Sequence, residues 1–191
     1  MLSEEILRKL RDEVSSSLPR QGTHSYEHTE RVYRMCLFLG KKVGADESIL
    51  LPAALLHDIG RGEENHAIAG ARKAKPILLK LGFSTKMINK VADAISAHSY
   101  SERKIAVSVE AKVLSDADKL DALGAIGIYR AAAYSGEVPR GIDEFTAHFH
   151  EKLLGLAELF YTEDAKLIAG NRISFMRAYL DELNQELLQK A

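Results

Sequence analysis

The chain is expected to fold as an all-α protein. Three observations predict this: apolar residues recur at helical spacing along nearly its whole length, strand-like alternation is scarce, and only four prolines interrupt 191 residues. With 46% apolar and 28% charged residues, its composition is that of a globular protein. A chain of this length can bury a core without disulfides or a structural metal, so a bound metal would be functional.

The elements follow in order. A first helix over Ser3–Ser17 places Leu2, Ile6, Leu10 and Val14 on one face and ends before Pro19 and Gly22. A second starts after Ser25 as N-cap and stops at Gly44, with His28, Val32, Met35, Cys36, Leu39 and Val43 on its apolar face. A third follows Asp46 and reaches Gly60, with Pro52 as a possible kink. A fourth opens near Asn65 and runs toward Leu81 through Pro76, and a fifth follows Ser84 with Ile88, Val91, Ile95 and His98 on one face. A long sixth helix is expected from Ser108 to Ala133, its inner face including Ala111, Leu114, Asp118, Ala125 and Ile128. Ser135–Gly141 reads as the clearest loop and the best candidate boundary. Two helices follow, one carrying Phe145, Phe149, Leu153, Leu156 and Phe160, the last over Asp164–Gln189. The phenylalanines read as core or a dimer contact, and His148 and His150 as ordinary surface residues.

Charge and cysteine content exclude several classes. The 26 basic and 27 acidic residues leave a net charge of −1, which calls for neither nucleic acid nor an acidic membrane. Cys36 is the single cysteine, so no internal disulfide forms. The N-terminus lacks the basic-then-apolar order of a signal peptide, and no apolar run approaches the ~20 residues of a membrane span. A cytoplasmic protein is expected. Gly40-Lys41 lacks the context of a phosphate-binding Walker loop, and no Gly-x-Ser-x-Gly elbow or cysteine pair suggests serine hydrolase or zinc-ribbon chemistry.

The chemistry lies before residue 135. His28 and His98 fall on apolar helix faces, His57 directly follows the run Ala53-Ala54-Leu55-Leu56, and Asp118 interrupts the apolar pattern of helix six. A single inward histidine is ordinarily a core residue bonded to a backbone carbonyl. Several inward His and Asp residues on separate helices instead suggest one ion satisfying them together, as helical bundles build metal sites. The helix end near Gly60 also favours a cation beside His57-Asp58.

The order His28 … Leu55-Leu56-His57-Asp58-Ile59-Gly60 … Asp116-Ala117-Asp118-Lys119-Leu120-Asp121, entered through Ser25-Tyr26-Glu27-His28-Thr29-Glu30-Arg31-Val32, resembles the HD superfamily of metal-dependent phosphohydrolases. The resemblance implies an HD-domain helical bundle over residues 1–191, with a motif core of about 24–130 and additional C-terminal helices over about 142–191. It implies His28, His57, Asp58 and Asp118 as metal ligands, with Asp116 and Asp121 in supporting roles. Two-metal members carry histidines in the order found here, so His66 and His98 would bind a second ion, with Asp58 bridging; otherwise they line the pocket. One or two divalent ions (Mn, Fe, Ni, Co, Zn or Mg) are expected, since imidazole with carboxylate suits such metals.

The implied activity is hydrolysis of a nucleotide or other small phosphate ester by metal-activated water. Asp58 and Lys119 are the expected catalytic residues, and His24, Arg31, Arg61 and Arg130 the expected substrate-binding ones, because cationic groups offset phosphate charge. Glu63 or Glu64 could orient water, or simply form a solvated acidic loop. The Gly-Tyr-Pro signature of the cyclic-di-GMP subclass is absent, as is an attached RNA-binding domain. Nucleic acid and membrane are therefore not expected as partners, while a homodimer is compatible with the sequence. Two alternatives remain: a di-iron HD-type oxygenase, and a non-catalytic metal-binding module.

Overall fold

Capping chemistry starts three of the helices where the sequence places them. The computed structural model describes residues 2–19, 22–99 and 104–190. The Ser3 hydroxyl accepts from Ile6 N ahead of α1 (Glu4–Ser17), the Asp46 carboxylate from Ser48 N ahead of α3 (Glu47–Leu56), and the Ser84 hydroxyl from Met87 N ahead of α5 (Thr85–Ser96). Each bond satisfies a backbone N–H that the first turn leaves without an intrahelical partner. Between them, α2 (Tyr26–Val43) stops at Gly44 in the left-handed conformation, φ +67°, and α4 (His66–Lys80) begins after Asn65 at φ 53°. The chain continues through α6 (Val109–Asp121), α7 (Gly124–Glu137), α8 (Ile142–His148) and α9 (Glu163–Leu187). The fold is all-α, with no strand among the described residues. No helix among them is long and apolar enough to cross a membrane.

Contacts group the chain into two units, Met1–Asp118 and Lys119–Ala191. In the first, α3 is central and packs against α1, α2, α4 and α5. Its residues Ile49 to Leu56 are all buried, which suits a helix surrounded on every side. In the second, α7 packs against α9. Phe149 and Met176 are fully buried there, with Phe145 and Phe160 beside them in the core, and the Phe145 and Phe149 rings meet edge-on at 5.0 Å.

Several elements depart from the sequence expectation. The single helix expected over Ser108–Ala133 is two, because Gly124 takes φ +71° and ends the first run at Asp121. The second run starts in a new register, so Ala125 is exposed and Ile128 only half-buried. That run extends to Glu137, which shortens the expected Ser135–Gly141 loop to its last few residues. Helix α3 stops at Leu56 instead of Gly60, and His98 lies just beyond α5. Ser25 precedes α2, but its side chain does not cap it; Val43, at the last turn, is exposed. The expected helix from Phe145 to Phe160 is α8 followed by a π-helical segment, Phe149–Leu153, and a 3-10 segment, Leu154–Leu159. His150 is exposed as expected, whereas His148 is half-buried.

One close backbone contact positions the functional loop. A Cβ on Gly60 would lie 2.3 Å from both Gly70 N and His66 O, and one on Gly70 would lie 2.9 Å from His57 O. The segment after His57 is thus laid directly on the first turns of α4, which only glycine permits. Gly60→Ala is expected to lower stability by roughly 1–3 kcal/mol or more, the cost of forced overpacking. Gly170→Ala, on an exposed face of α9 with open space around it, should be neutral or stabilising. Thermal denaturation of the two variants checks the contrast.

Candidate metal centre

Asp58 organises the site. It is fully buried, in the turn that follows α3. Its two carboxylate oxygens face different partners. Oδ2 lies 3.0 Å from His24 Nδ1, 3.7 Å from His28 Nε2 and 3.8 Å from His57 Nε2. Oδ1 lies 3.3 Å from Arg61 Nε and 3.9 Å from both His66 Nε2 and His98 Nε2. Asp118 Oδ1 is 3.3 Å from His28 Nε2, and the His28 and His57 Nε2 atoms are 3.2 Å apart. The chain therefore gathers nitrogen and oxygen donors from α2, the turn after α3, the start of α4, the exit of α5 and α6.

Two of these histidines are oriented by the same local device. His57 Nδ1–H donates to Ala54 O at 2.8 Å, and His98 Nδ1–H donates to Ile95 O at 2.6 Å. Each acceptor is a carbonyl in the last turn of the helix just completed, and Ile95 O accepts the His98 backbone N–H at 3.2 Å as well. With the proton on Nδ1, each Nε2 carries a lone pair and points at the cluster. The Ser115 hydroxyl donates to His98 O at 3.0 Å and further fixes that turn.

The donor set fits a cation. Asp58 Oδ1 and His98 Nε2 are buried without a hydrogen-bond partner, so the carboxylate must be balanced by charge, which Arg61 supplies at 3.3 Å on the Oδ1 side and a cation would supply among His28, His57 and Asp118 on the other. Three overlapping groups have ligand atoms within 4.8 Å of one another: His24, His28 and Asp58; His28, His57 and Asp118; His57, Asp58 and His98. Burial disfavours ionisation of Asp58, yet His57, His24, Arg61 and His28 together hold its pKa well below the usual carboxylate range. Asp118 is likewise held low, against burial, chiefly by His28. Both are anions ready to bind metal.

A family model for the HD domain matches residues 25–123. YpgQ of Bacillus subtilis is 31% identical over 94% of this chain and 92% of its own. The chain belongs to the HD-domain family. Among solved HD-domain neighbours, the crystal structure of YpgQ in complex with ADP superposes with a TM-score of 0.82 at 30% identity, covering 95% of each chain. An HD-superfamily hydrolase from Bacillus thuringiensis reaches 0.77 at 30% identity, covering 96% of this chain and 97% of that one.

The remaining sequence-predicted residues of this HD-domain chain fall in different places. His24, expected at the substrate, bonds Asp58, and Arg61 stands beside the same carboxylate. Arg31 is half-buried on α2, one turn after His28. Glu63 is engaged by Arg72 and Lys73, each at 2.6 Å, and their charges keep its pKa low. Lys119 and Arg130 belong to the second unit. There the buried Lys119 ammonium faces the rings of Tyr161 at 4.9 Å and Phe160 at 5.4 Å, while Arg130 pairs with Asp121 at 3.1 Å. Sequence reasoning missed Ser115, since nothing in the helical pattern distinguishes a supporting serine from a surface one.

Burial of His57 has a consequence for stability. Burial lowers its pKa, Asp58 pulls the other way, and His98 and His28 reinforce burial, leaving it at about 4 against an ordinary 6.5. Between those values the unfolded chain binds a proton that the folded chain refuses, so stability falls as pH drops from 6.5 toward 4. The low carboxylates Asp58 and Asp118 extend the loss below pH 4. For metal-free protein, denaturant titrations should show on the order of 3 kcal/mol lost across that window. Equal stability at pH 7 and pH 4.5 would show that His57 is not held neutral.

Proposed function

We propose that this HD-domain chain is a metal-dependent phosphohydrolase acting on a small phosphate ester, with nucleotides as the leading substrate class. The observation that carries the reading is the buried Asp58 carboxylate, whose two oxygens face separate sets of histidine nitrogens. Nucleotide chemistry is supported by the relative YpgQ, whose crystal structure contains ADP.

In this reading His28, His57, Asp58 and Asp118 would hold a divalent ion, while His66 and His98 face the other oxygen of Asp58. An ion bound there would lower the pKa of a water and polarise a phosphoryl oxygen. His57 and His98 keep their Nε2 lone pairs inward through their carbonyl bonds. His24 holds Asp58 Oδ2 by a direct bond and so orients the carboxylate. Arg61 and Arg31 supply positive charge toward the phosphate.

The test is release of phosphate and pyrophosphate from a panel of nucleotides and sugar phosphates with Mn, Co, Ni, Mg or Fe. Metal-dependent release is expected, and Asp58→Ala should reduce it by on the order of a hundredfold or more while circular dichroism stays helical. Metal-loaded protein inert toward every phosphate ester would overturn the reading, and oxygen consumption by the iron-loaded form would replace it with an oxygenase.

A further inference from the structure

We propose that Arg61 is a built-in counter-ion that keeps a second divalent cation away from the Oδ1 side of Asp58, so that this chain holds one ion where its donors could seat two. The inference rests on the metal reading above and goes beyond it by assigning the number of ions and the residue that sets it.

The Oδ1 side has the donors for a metal. Asp58 Oδ1, His66 Nε2 and His98 Nε2 converge, with both nitrogens 3.9 Å from the oxygen. Oδ1 and His98 Nε2 are buried and accept no hydrogen bond. The carbonyl bond at His98 Nδ1 leaves its Nε2 lone pair facing inward. Beside the same oxygen stands a permanent positive charge, Arg61 Nε at 3.3 Å, delivered by the turn three residues after Asp58. That Nε is buried and makes no hydrogen bond, so it meets the carboxylate through charge alone. A guanidinium cannot be deprotonated to make room. A divalent cation beside it would be repelled twice as strongly as a single charge.

The Oδ2 side differs in sign. There His24, His28 and His57 face Oδ2, and His28 and His57 are grouped with a second carboxylate, Asp118, so negative charge comes to these nitrogens from two residues. One side thus concentrates anions, while the other shares a single carboxylate with a fixed cation. The arrangement favours the first ion and disfavours the second. Arg61 is about one-third exposed, so its side chain can be changed without opening the core.

The test counts ions. Full-length metal-free protein is titrated with Mn²⁺ and followed by native mass spectrometry and calorimetry, with circular dichroism to verify folding. Wild type and Arg61→Lys are expected to bind one Mn²⁺ per chain, Arg61→Gln two, and Arg61→Gln/His98→Ala one again. Two ions in wild type, one in Arg61→Gln, or two in Arg61→Lys would each overturn the proposal while leaving the metal site itself intact. No ion in wild type would instead remove the metal reading and this proposal with it.

Discussion

A buried carboxylate is the constraint on which the first unit depends. Asp58 is fully buried, and an isolated buried charge costs several kcal/mol or more. The chain meets that cost by bringing nitrogen atoms to both oxygens from elements far apart in sequence: His24 and His28 at the entry of α2, His66 at the start of α4, His98 after α5. None of these contacts forms unless α2, α4 and α5 are docked around α3. Site and core are therefore one construction, and a defect in either is felt in both.

Precision comes from the backbone. His57 and His98 each follow a helix end and each donate to a carbonyl three residues earlier. That bond uses a carbonyl of the helix's last turn and simultaneously fixes the ring, so termination of the helix and orientation of the imidazole are coupled. Gly60 and Gly70 then press the turn against α4 at backbone distance, which brings His66 to the Asp58 carboxylate. Positioning by main-chain contact leaves little rotamer freedom, a requirement for donors that must converge within a few tenths of an ångström.

What could be read from the sequence follows the range of the signals. Helix starts at Ser3, Asp46 and Ser84 were legible because capping is decided by adjacent residues. His28, His57, Asp58, His66, His98 and Asp118, singled out as polar residues interrupting apolar runs and by family order, are brought together in space. The break after Asp121 was not legible, because glycine inside a helical pattern costs only about 1 kcal/mol and Gly124 could equally have continued it. The π and 3-10 turns after His148 carry no proline, and Gly155 lies in open space without a positive φ, so nothing announces them. Nor could the contacts of His24 and Arg61 with Asp58 be foreseen, since side-chain direction in an irregular turn follows no period.

Under the proposed phosphohydrolase function, charge also constrains how the site would meet its substrate. The chain as a whole is nearly neutral at −1, so attraction of an anion must come from local charge. Without a cation, the centre presents Asp58 and Asp118, both held ionised, and these repel a phosphate. A divalent ion reverses that sign at the point where phosphate oxygen would arrive. Metal and phosphate would therefore strengthen each other's binding, and by linkage the factor would be the same in both directions. Arg61 belongs to the same balance: its charge opposes an added cation but favours an added anion. With the proposed single ion and Arg61 flanking one carboxylate, the site would carry its positive charge partly as exchangeable metal and partly as protein, and a phosphate group could draw on both.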